Sequence, residues 1–298
     1  MNRWIFILAF IAAIPLAGNA GRKRALIVGI SDYRSNGYRV WSNIHGCEDA
    51  NLLKPELEKK GFKVQTLTDE HATCKGILRE LSYFIASSKK GDIIYLHFSC
   101  HGQPVEDGLN GMEKDEKDGW DESLVPIDAG KTYAAKGYRG EKHLTDDQLN
   151  MYVTRLRRKI GAAGMVYVTI DACHAGNMER EDFETIRGSN EGLTRNPNNK
   201  YNPPGKHKPV NLVSSPELAA VLYVEACESW QRNQEVSYCG REYGALTFNI
   251  WQCLRREKSF PKDSHNFEAL LRKNIRYNTD RRNRLWPTSQ RVVFTKNR

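Results

Sequence analysis

The pattern that most constrains the fold is an alternation of short apolar, β-rich runs with amphipathic helical stretches. Strands that alternate with helices build mainly parallel sheets covered on both faces. The chain is therefore predicted to form one α/β domain. The predicted strands are residues 25–30, 63–67, 92–99, 165–171, 219–227 and 291–295, and the predicted helices are residues 46–60, 75–87, 144–160, 244–255 and 267–276.

The first twenty residues have the pattern of a secretory signal peptide. Arg3 precedes a short apolar run, Ile5 to Ala17, and small residues follow it at Gly18 to Ala20. The run is short for a membrane span, so an uncleaved anchor is the weaker alternative. We expect a secreted or periplasmic protein that has no membrane segment in its mature form.

Charge is unevenly distributed over the chain. The formal net charge is +9, and residues 254–298 alone contain thirteen Lys and Arg against four Asp and Glu. A basic tail can bind an anionic polymer. Because no nucleic-acid motif accompanies it, the simpler interpretation is a solvated basic face, and no nucleic-acid partner is expected.

Seven cysteines are present, which leaves at least one unpaired within a secreted chain. No C-x-x-C pair occurs, so a structural zinc site has little support. A catalytic thiol is one natural reason for an unpaired cysteine.

Two chemically distinctive segments directly follow predicted strands. They are Ser99-Cys100-His101-Gly102 and Asp171-Ala172-Cys173-His174. Sites in parallel sheets lie beyond the carboxyl ends of strands, so His101 and Cys173 are predicted to meet there. An imidazole beside a thiol can activate it and later protonate a leaving amine. The backbone N–H groups of Gly102 and Cys173 are predicted to bind the oxyanion.

Two long stretches, Gln103–Lys142 and about Met178–Pro216, show neither a helical nor a strand period. The first is acidic, with nine Asp and Glu against two Lys between Glu106 and Asp128. Long loops of this kind are usually lids or cleavable segments.

Four motifs in order resemble the metacaspases, the caspase relatives of bacteria, plants and protozoa. The resemblance is strong from Arg24 to Gly176 and weaker through VLYVEACESWQRN and YGALTFNIW. It implies the caspase–haemoglobinase fold, a three-layer α-β-α sandwich with a mostly parallel six-stranded sheet. It also divides the single peptidase domain, residues 21–298, into a large-subunit region (about 21–178), a loop (179–216) and a small-subunit region (217–298). The motifs are GCEDA (46–50), LHFSCHGQ (96–103), DGWDESLVPID (118–128) with LTDDQL (144–149), and VTIDACHAG (168–176).

The resemblance implies a cysteine endopeptidase whose catalytic dyad is Cys173 and His101. It also implies an acidic pocket that accepts Arg or Lys before the scissile bond. The matching pocket residues are Asp49 and Asp171, with Cys47 and Ser99 beside them. A guanidinium prefers paired carboxylates, which agrees with that reading.

Further properties implied by the resemblance concern regulation. No cofactor is needed for the chemistry. Some metacaspases need calcium as an activator, and Asp121, Asp146 and Asp147 stand at the positions that match its ligands. Self-cleavage is also expected, with Arg187, Arg195 and Lys200 as exposed candidates in the second loop. A monomer is expected.

The sequence leaves other functions open. Cys100 stands where a Gly is usual and places a second thiol near the site, and Ala175 replaces a common Ser. The alternatives are a catalytically silent caspase-like module that binds a partner, an Arg-specific protease related to clostripain or gingipain, and a polyanion-binding protein.

Overall fold

In a computed structural model, the described residues are 21–33, 41–109, 114, 116–173, 185–189, 191–203, 210–279 and 285–297. The predicted signal segment, the stretch 174–184 and residues 204–209 lie outside them. The helices and strands along the chain are β1 (Lys23–Gly29), α1 (Gly46–Lys59), β2 (Phe62–Thr68), α2 (Cys74–Ser87), β3 (Ile93–Ser99), β4 (His101–Glu106), β5 (Trp120–Val125), β6 (Leu144–Thr145), α3 (Asp146–Ile160), β7 (Met165–Asp171), β8 (Ala220–Glu225), β9 (Glu235–Tyr238), β10 (Arg241–Gly244), α4 (Ala245–Arg256), α5 (Ser264–Thr279) and β11 (Val293–Asn297).

A six-stranded sheet in the order β11-β8-β7-β3-β1-β2 forms the centre of the protein. All neighbouring strands in it run parallel except β11, which pairs with β8 in the antiparallel sense. The predicted strands of this sheet, and the predicted helices that cover it, mostly begin and end within about three residues of the observed ones. The predicted α/β class and mostly parallel sheet are confirmed.

Both faces of the sheet are covered by helices, as the apolar strand residues require. Successive residues of β1 alternate between two cores: Leu26 and Val28 pack in one, and Ala25 and Ile27 pack in the other. The first core includes apolar side chains of α2 and α3, and the second includes those of α1, α4 and α5. This arrangement is the predicted three-layer sandwich.

The parallel register brings three strand ends to the same level. Gly29 of β1 pairs with Ser99 of β3, and Ser99 pairs with Asp171 of β7. The residues just beyond these positions therefore meet at one edge of the sheet.

The first acidic stretch is not the irregular loop that the sequence predicted. It contains β4 and β5, which pair in the antiparallel sense and form a three-stranded sheet with β6. Their polar residues obscure the strand period because several of them face inward. Ser123, for example, is buried and donates from its hydroxyl to the carbonyl oxygen of Gln103 at 2.6 Å. The helix predicted from Leu144 begins at Asp146, because Thr145 caps it by accepting from the Gln148 N–H.

Among the described residues, no helix has the length and apolar composition needed to cross a membrane.

Two histidines inside the fold are held neutral. Burial lowers the pKa of His97 to about 4 and that of His143 to about 3. His97 lies between the hydroxyls of Thr169 and Thr247. His143 lies between the Tyr138 hydroxyl and the side-chain oxygen of Gln103.

These histidines predict a loss of stability in acid. A base whose folded pKa lies below its unfolded value of about 6.5 binds fewer protons when folded, so stability falls as the pH drops through 6.5. Each histidine should reduce the free energy of unfolding by about 2 kcal/mol between pH 7 and pH 5. Urea unfolding at the two pH values measures this, and His143→Gln should lessen the loss by that amount. An identical pH dependence in the variant would contradict the assignment.

Candidate active site

Three elements bring carboxylates together at the edge where β1, β3 and β7 end. Asp49 lies on α1, Asp171 is the last residue of β7, and Glu235 begins β9. All three carboxylates are withdrawn from water, with Asp49 and Asp171 fully buried. Ser99, the last residue of β3, donates from its hydroxyl to Asp49 at 2.7 Å.

The guanidinium of Arg187 fills the space between these carboxylates. Its Nη1 lies 2.7 Å from Asp49 Oδ2 and 3.9 Å from Asp171 Oδ1, and it donates to Ser99 Oγ at 2.6 Å. Its Nε and Nη2 both donate to Glu235 Oε1, at 3.0 and 2.8 Å. Arg187 was predicted to be an exposed loop residue, and this is wrong, because its side chain is 0% exposed. A chain segment that the sequence places in a loop thus inserts its arginine into the predicted acidic pocket.

The amino terminus of α4 stabilises two of the carboxylates. The Gly244 N–H donates to Asp49 at 3.0 Å, and the Thr247 N–H and hydroxyl donate to Asp171 at 2.7 and 2.6 Å. Unpaired N–H groups at the start of a helix favour negative charge. Gly244 is required here, since a Cβ on it would lie 2.2 Å from Asp171 Oδ2.

The electrostatics of the pocket depend on the arginine. Burial raises the pKa of Asp49 to about 6, while Arg187 acts in the opposite direction. For Arg187, burial lowers the pKa, but Asp49, Glu235 and Asp171 outweigh it, so the guanidinium stays charged. Three carboxylates around one cation leave an excess of negative charge when all are ionised.

The backbone of Arg187 lies against the predicted nucleophile. Its carbonyl oxygen accepts hydrogen bonds from the N–H groups of Cys173 and Gly102, at 2.9 and 3.3 Å. These are the two donors predicted for the oxyanion. The Cys173 thiol is buried and donates to the carbonyl oxygen of Gln231 at 2.7 Å.

His101 follows β3 and is held by aromatic rings. Its ring lies 4.8 Å from that of Tyr33 and stacks on that of Trp41 at 4.9 Å. Its Nε2 donates to the Ser42 carbonyl oxygen at 2.8 Å, because a carbonyl can only accept. Burial lowers the pKa of His101 to about 4, so the ring is neutral at pH 7. Its buried Nδ1 therefore carries the lone pair, and it has no hydrogen-bond partner in the described part of the chain.

The residues around Arg187 lie as an extended peptide between two backbone edges. On one side, the Arg187 N–H donates to the Asn233 carbonyl at 3.1 Å, and the Glu235 N–H donates to the Thr185 carbonyl at 3.3 Å. On the other side, the Ser189 N–H donates to the Gly102 carbonyl at 3.0 Å. Residues 185–189, which we call the bound segment, are thus held on both sides of the Arg187–Gly188 bond.

Gly188 fits this position because it has no side chain. A Cβ on Gly188 would lie 1.9 Å from the Cys173 carbonyl oxygen. The chain continues beside β4, where Leu193 is buried and the Leu193 N–H donates to the Pro104 carbonyl at 2.8 Å.

The other predicted site residues lie at varying distances from this centre. Cys47 is next to the pocket, but its thiol bonds go to Asp69 and Gly29. The Cys100 side chain packs in the core that contains α2 and α3. Arg195 is 46% exposed and pairs with Glu106, and Lys200 is exposed, so neither occupies the pocket.

The three predicted calcium ligands lie on β5 and in the first turn of α3. Asp121 is buried, whereas Asp146 and Asp147 are partly exposed. Within the described ranges, no group of three or more His, Cys, Asp or Glu side chains is arranged to hold a metal ion. Calcium binding therefore stays a prediction.

Several residues that build the site were missed by sequence reasoning. Four of them lie far beyond Asp171 in the chain, whereas Ser42 lies shortly before Asp49, and the sequence gives no periodic signal for any of them. One indirect signal existed for three of them, since the weak resemblance through ESWQRN and YGALTF covers Asn233, Gly244 and Thr247. The missed residues are Ser42, Asn233, Glu235, Gly244 and Thr247.

A peptide carbonyl held by two N–H groups, one from a cysteine and the other from the residue after a neutral histidine, is typical of a cysteine peptidase. Comparison with known proteins agrees with this class. Residues 22–292 match the model of the caspase domain of the C14 peptidases. The chain therefore belongs to the caspase-domain family, and the resemblance read from the sequence is confirmed.

Metacaspases are among the similar curated proteins. Metacaspase-2 of Arabidopsis thaliana is 32% identical over 170 residues, which are 53% of this chain and 35% of that protein. Metacaspase-3 of the same plant is 24% identical over 263 residues, 84% of this chain and 64% of that protein. Metacaspase-1A of Neurospora crassa is 27% identical over 190 residues, 60% of this chain and 37% of that protein. The chain thus spans between about a third and two thirds of the length of these relatives.

A solved structure shows the same fold. The crystal structure of protein GSU0716 from Geobacter sulfurreducens matches with a TM-score of 0.62 and 22% identity, over 93% of each chain.

Removing the cation from the acidic pocket is expected to lower the stability of the protein strongly. In a Cys173→Ala chain, Arg187→Met should lower the free energy of unfolding at pH 7.5 by about 3 kcal/mol, because buried carboxylates lose their partner. A carboxyl whose folded pKa is raised is penalised at high pH and relieved as the pH falls, so the loss should shrink at pH 5. Urea unfolding measures both values.

The matched control is Arg195→Met, which removes an exposed ion pair and should change stability by less than about 1 kcal/mol. Equal effects of the two substitutions would show that Arg187 is not held by the pocket.

Proposed function

We propose that the protein is a cysteine endopeptidase that cleaves after Arg or Lys, and that its first substrate is its own Arg187–Gly188 bond. One observation carries the proposal: Arg187 fills the acidic pocket while its carbonyl oxygen accepts from the N–H groups of Gly102 and Cys173. The bond that follows is therefore held next to the thiol.

The first step is attack of the Cys173 sulfur on the Arg187 carbonyl carbon. His101 is neutral, with a lone pair on Nδ1, so this nitrogen can accept the thiol proton. Negative charge then develops on the carbonyl oxygen. The two N–H donors already point at that oxygen, so they stabilise the charge without rearrangement.

Collapse of this intermediate breaks the peptide bond. The His101 imidazolium gives its proton to the nitrogen of Gly188, which leaves as an amine, and a thioester joins Cys173 to Arg187. Water then hydrolyses the thioester, with His101 as the base. The Ser42 carbonyl holds the imidazole through Nε2 and supports its charged form.

The pocket favours Arg over Lys. Glu235 binds Nε and Nη2 of the guanidinium, and a lysine ammonium at the Asp49–Ser99 end has no equivalent of these two donors. A buried Glu235 would then lose a charged partner, which costs binding energy. Both residue types can enter, but the fork geometry matches Arg.

The bound segment also acts as a barrier. While Arg187 occupies the pocket, another peptide cannot place its own basic side chain there. Cleavage followed by departure of the segment would open the site, so self-processing would be the activating step. Arg195 and Lys200 are the weaker processing candidates, since neither lies in the pocket.

The remaining expectations are also proposals. They are activation by calcium, secretion through the first twenty residues, and a monomeric state. A silent binding module is disfavoured because Cys173 and His101 are both present and both N–H donors reach the Arg187 carbonyl oxygen. An Arg-specific protease of the clostripain or gingipain type would share the chemistry but not the caspase-domain match.

Self-cleavage predicts a defined product. Purified wild-type protein should yield a fragment that begins at Gly188, as measured by intact mass and amino-terminal sequencing. Cys173→Ala and Arg187→Ala should each remain whole, because one lacks the nucleophile and the other lacks the pocket ligand.

The controls are Arg195→Ala and Lys200→Ala, which should still be cut after residue 187. Cleavage of the Arg187→Ala chain at its normal rate, or a wild-type chain that stays intact, would refute self-processing at this bond.

The contacts of Glu235 lead to a prediction about the preference for Arg over Lys in substrates. For reporter peptides that end in Arg, Glu235→Gln should lower kcat/KM by roughly 10- to 100-fold, because two hydrogen bonds lose their charged acceptor. The rate on Lys reporters should fall less, so the Arg-to-Lys ratio should decrease. Asp reporters should not be cleaved.

Glu242→Gln, a substitution in the β9–β10 hairpin, is the matched control and should leave the ratio unchanged. An unaltered ratio in Glu235→Gln would contradict the assigned role.

A further inference from the structure

A second cysteine contacts the sulfur of Cys173. Cys173 and Cys227 form a small buried cluster of their own, with 0% and 7% of their surfaces exposed. Both sulfurs approach the carbonyl oxygen of Gln231, at 2.7 Å from Cys173 and 3.6 Å from Cys227. The Cys227 sulfur also lies 3.9 Å from the Ala172 carbonyl oxygen. The nucleophile thus has a thiol neighbour.

The sheet explains why these residues meet. β7 and β8 are parallel neighbours, with Ile170 opposite Glu225, and the Ala226 N–H donates to the Ile170 carbonyl at 2.9 Å. Cys173 and Cys227 each lie two residues beyond the end of their strand. Neighbouring strands are about 4.8 Å apart, and a disulfide needs Cα atoms about 4.4–6.8 Å apart. Continued past the strand ends, this register places Cys227 opposite Ala172, the neighbour of Cys173, and the two cysteine side chains are in contact.

We propose that Cys173 and Cys227 form a reversible disulfide when the protein meets hydrogen peroxide. This modification site goes beyond the peptidase proposal, because its formation needs only the two thiols and the oxidant. It would remove the nucleophile while protecting it from irreversible oxidation.

The disulfide forms in two steps. The Cys173 sulfur attacks one oxygen of the peroxide, the O–O bond breaks, and the other oxygen leaves as water, which produces a sulfenic acid. The Cys227 sulfur then attacks the Cys173 sulfur, the S–O bond breaks, and the oxygen leaves as a second water with the Cys227 proton. Peroxide is reduced, and two thiols are oxidised.

The two thiols differ in character. The pKa of Cys227 stands well above its usual range, chiefly because of its hydrogen bond with Cys173 and its burial. Cys227 is therefore protonated and slow to react with peroxide on its own. Cys173 is the thiol that His101 can activate, so it is oxidised first and Cys227 resolves it.

Other cysteines are poorer partners. Cys47 bonds to Asp69, and Cys253 lies on α4 with its thiol directed to the Leu270 carbonyl. Cys100, which the sequence singled out as the second thiol near the site, packs in the core that contains α2 and α3. Cys227 is the thiol that shares a contact cluster with Cys173.

The experiment maps disulfides in the full chain. Wild-type protein is treated with hydrogen peroxide, free thiols are alkylated, and tryptic peptides are measured by mass spectrometry. Residues 160–180 and 207–232 form two tryptic peptides with one cysteine each, Cys173 and Cys227. We expect these peptides joined in oxidised protein and separate after treatment with dithiothreitol.

Two variants test whether Cys227 is the thiol that resolves oxidised Cys173. In Cys227→Ala, Cys173 should progress to sulfinic acid, which dithiothreitol does not reverse. Cys239→Ala removes an exposed thiol and should leave the 173–227 link unchanged. If Cys227→Ala does not fold, the alkylation pattern of the wild-type chain alone decides.

Two results would overturn the proposal. One is oxidised wild-type protein in which Cys173 is sulfinic while Cys227 is still alkylated as a free thiol, and the other is a link from Cys173 to a different cysteine. Because the readout is a peptide mass, the disulfide can be detected whether or not the reduced protein is an active peptidase. A disulfide in a protein whose reduced form lacks peptidase activity would support this inference and refute the proposed function.

Discussion

The buried contact between one guanidinium and three carboxylates is the interaction on which the site depends. Asp49, Asp171 and Glu235 come from separate elements, and the fold has taken all three out of water. Such a group is costly to bury unless a cation or a proton compensates it. The pocket therefore requires a basic side chain inside it. In this chain that side chain is Arg187, and its binding draws the bound segment across Cys173.

The reacting groups owe their positions to sheet register more than to the loops that carry them. Because β1, β3 and β7 end at one level, the residues that follow β3 and β7 supply the imidazole, the thiol and both N–H donors. The pairing of β7 with β8 also brings Cys227 into contact with Cys173. The amino terminus of α4 completes the arrangement by stabilising Asp49 and Asp171. A substitution that shifted β7 by one residue would turn Asp171 away from the pocket.

This geometry separates what sequence can predict from what it cannot. The positions of Cys173 and His101 just beyond the ends of β7 and β3 were predictable, because each follows an apolar run and strand ends gather in parallel sheets. β4 and β5 were missed because their inward polar residues, such as Ser123, break the alternation that marks a strand. Glu235 was missed because its role depends on a long-range contact with Arg187. Arg187 itself was named as a basic loop residue, but its burial follows from tertiary structure alone.

The bound segment and Cys227 both affect the Cys173 sulfur. Access of peptides to this thiol is therefore linked to its sensitivity to oxidation. While Arg187 is in place, the Cys173 thiol is buried and donates to Gln231, and His101 is neutral. Departure of the segment removes a cation that helps to lower the pKa of His101, so the imidazole gains basicity as the site opens. A more basic imidazole makes a better thiolate, which attacks peptides and peroxide alike. The Cys173 thiol would thus become more sensitive to peroxide when the site opens to substrate. In that open state a resolving cysteine in contact with it would protect it from irreversible oxidation.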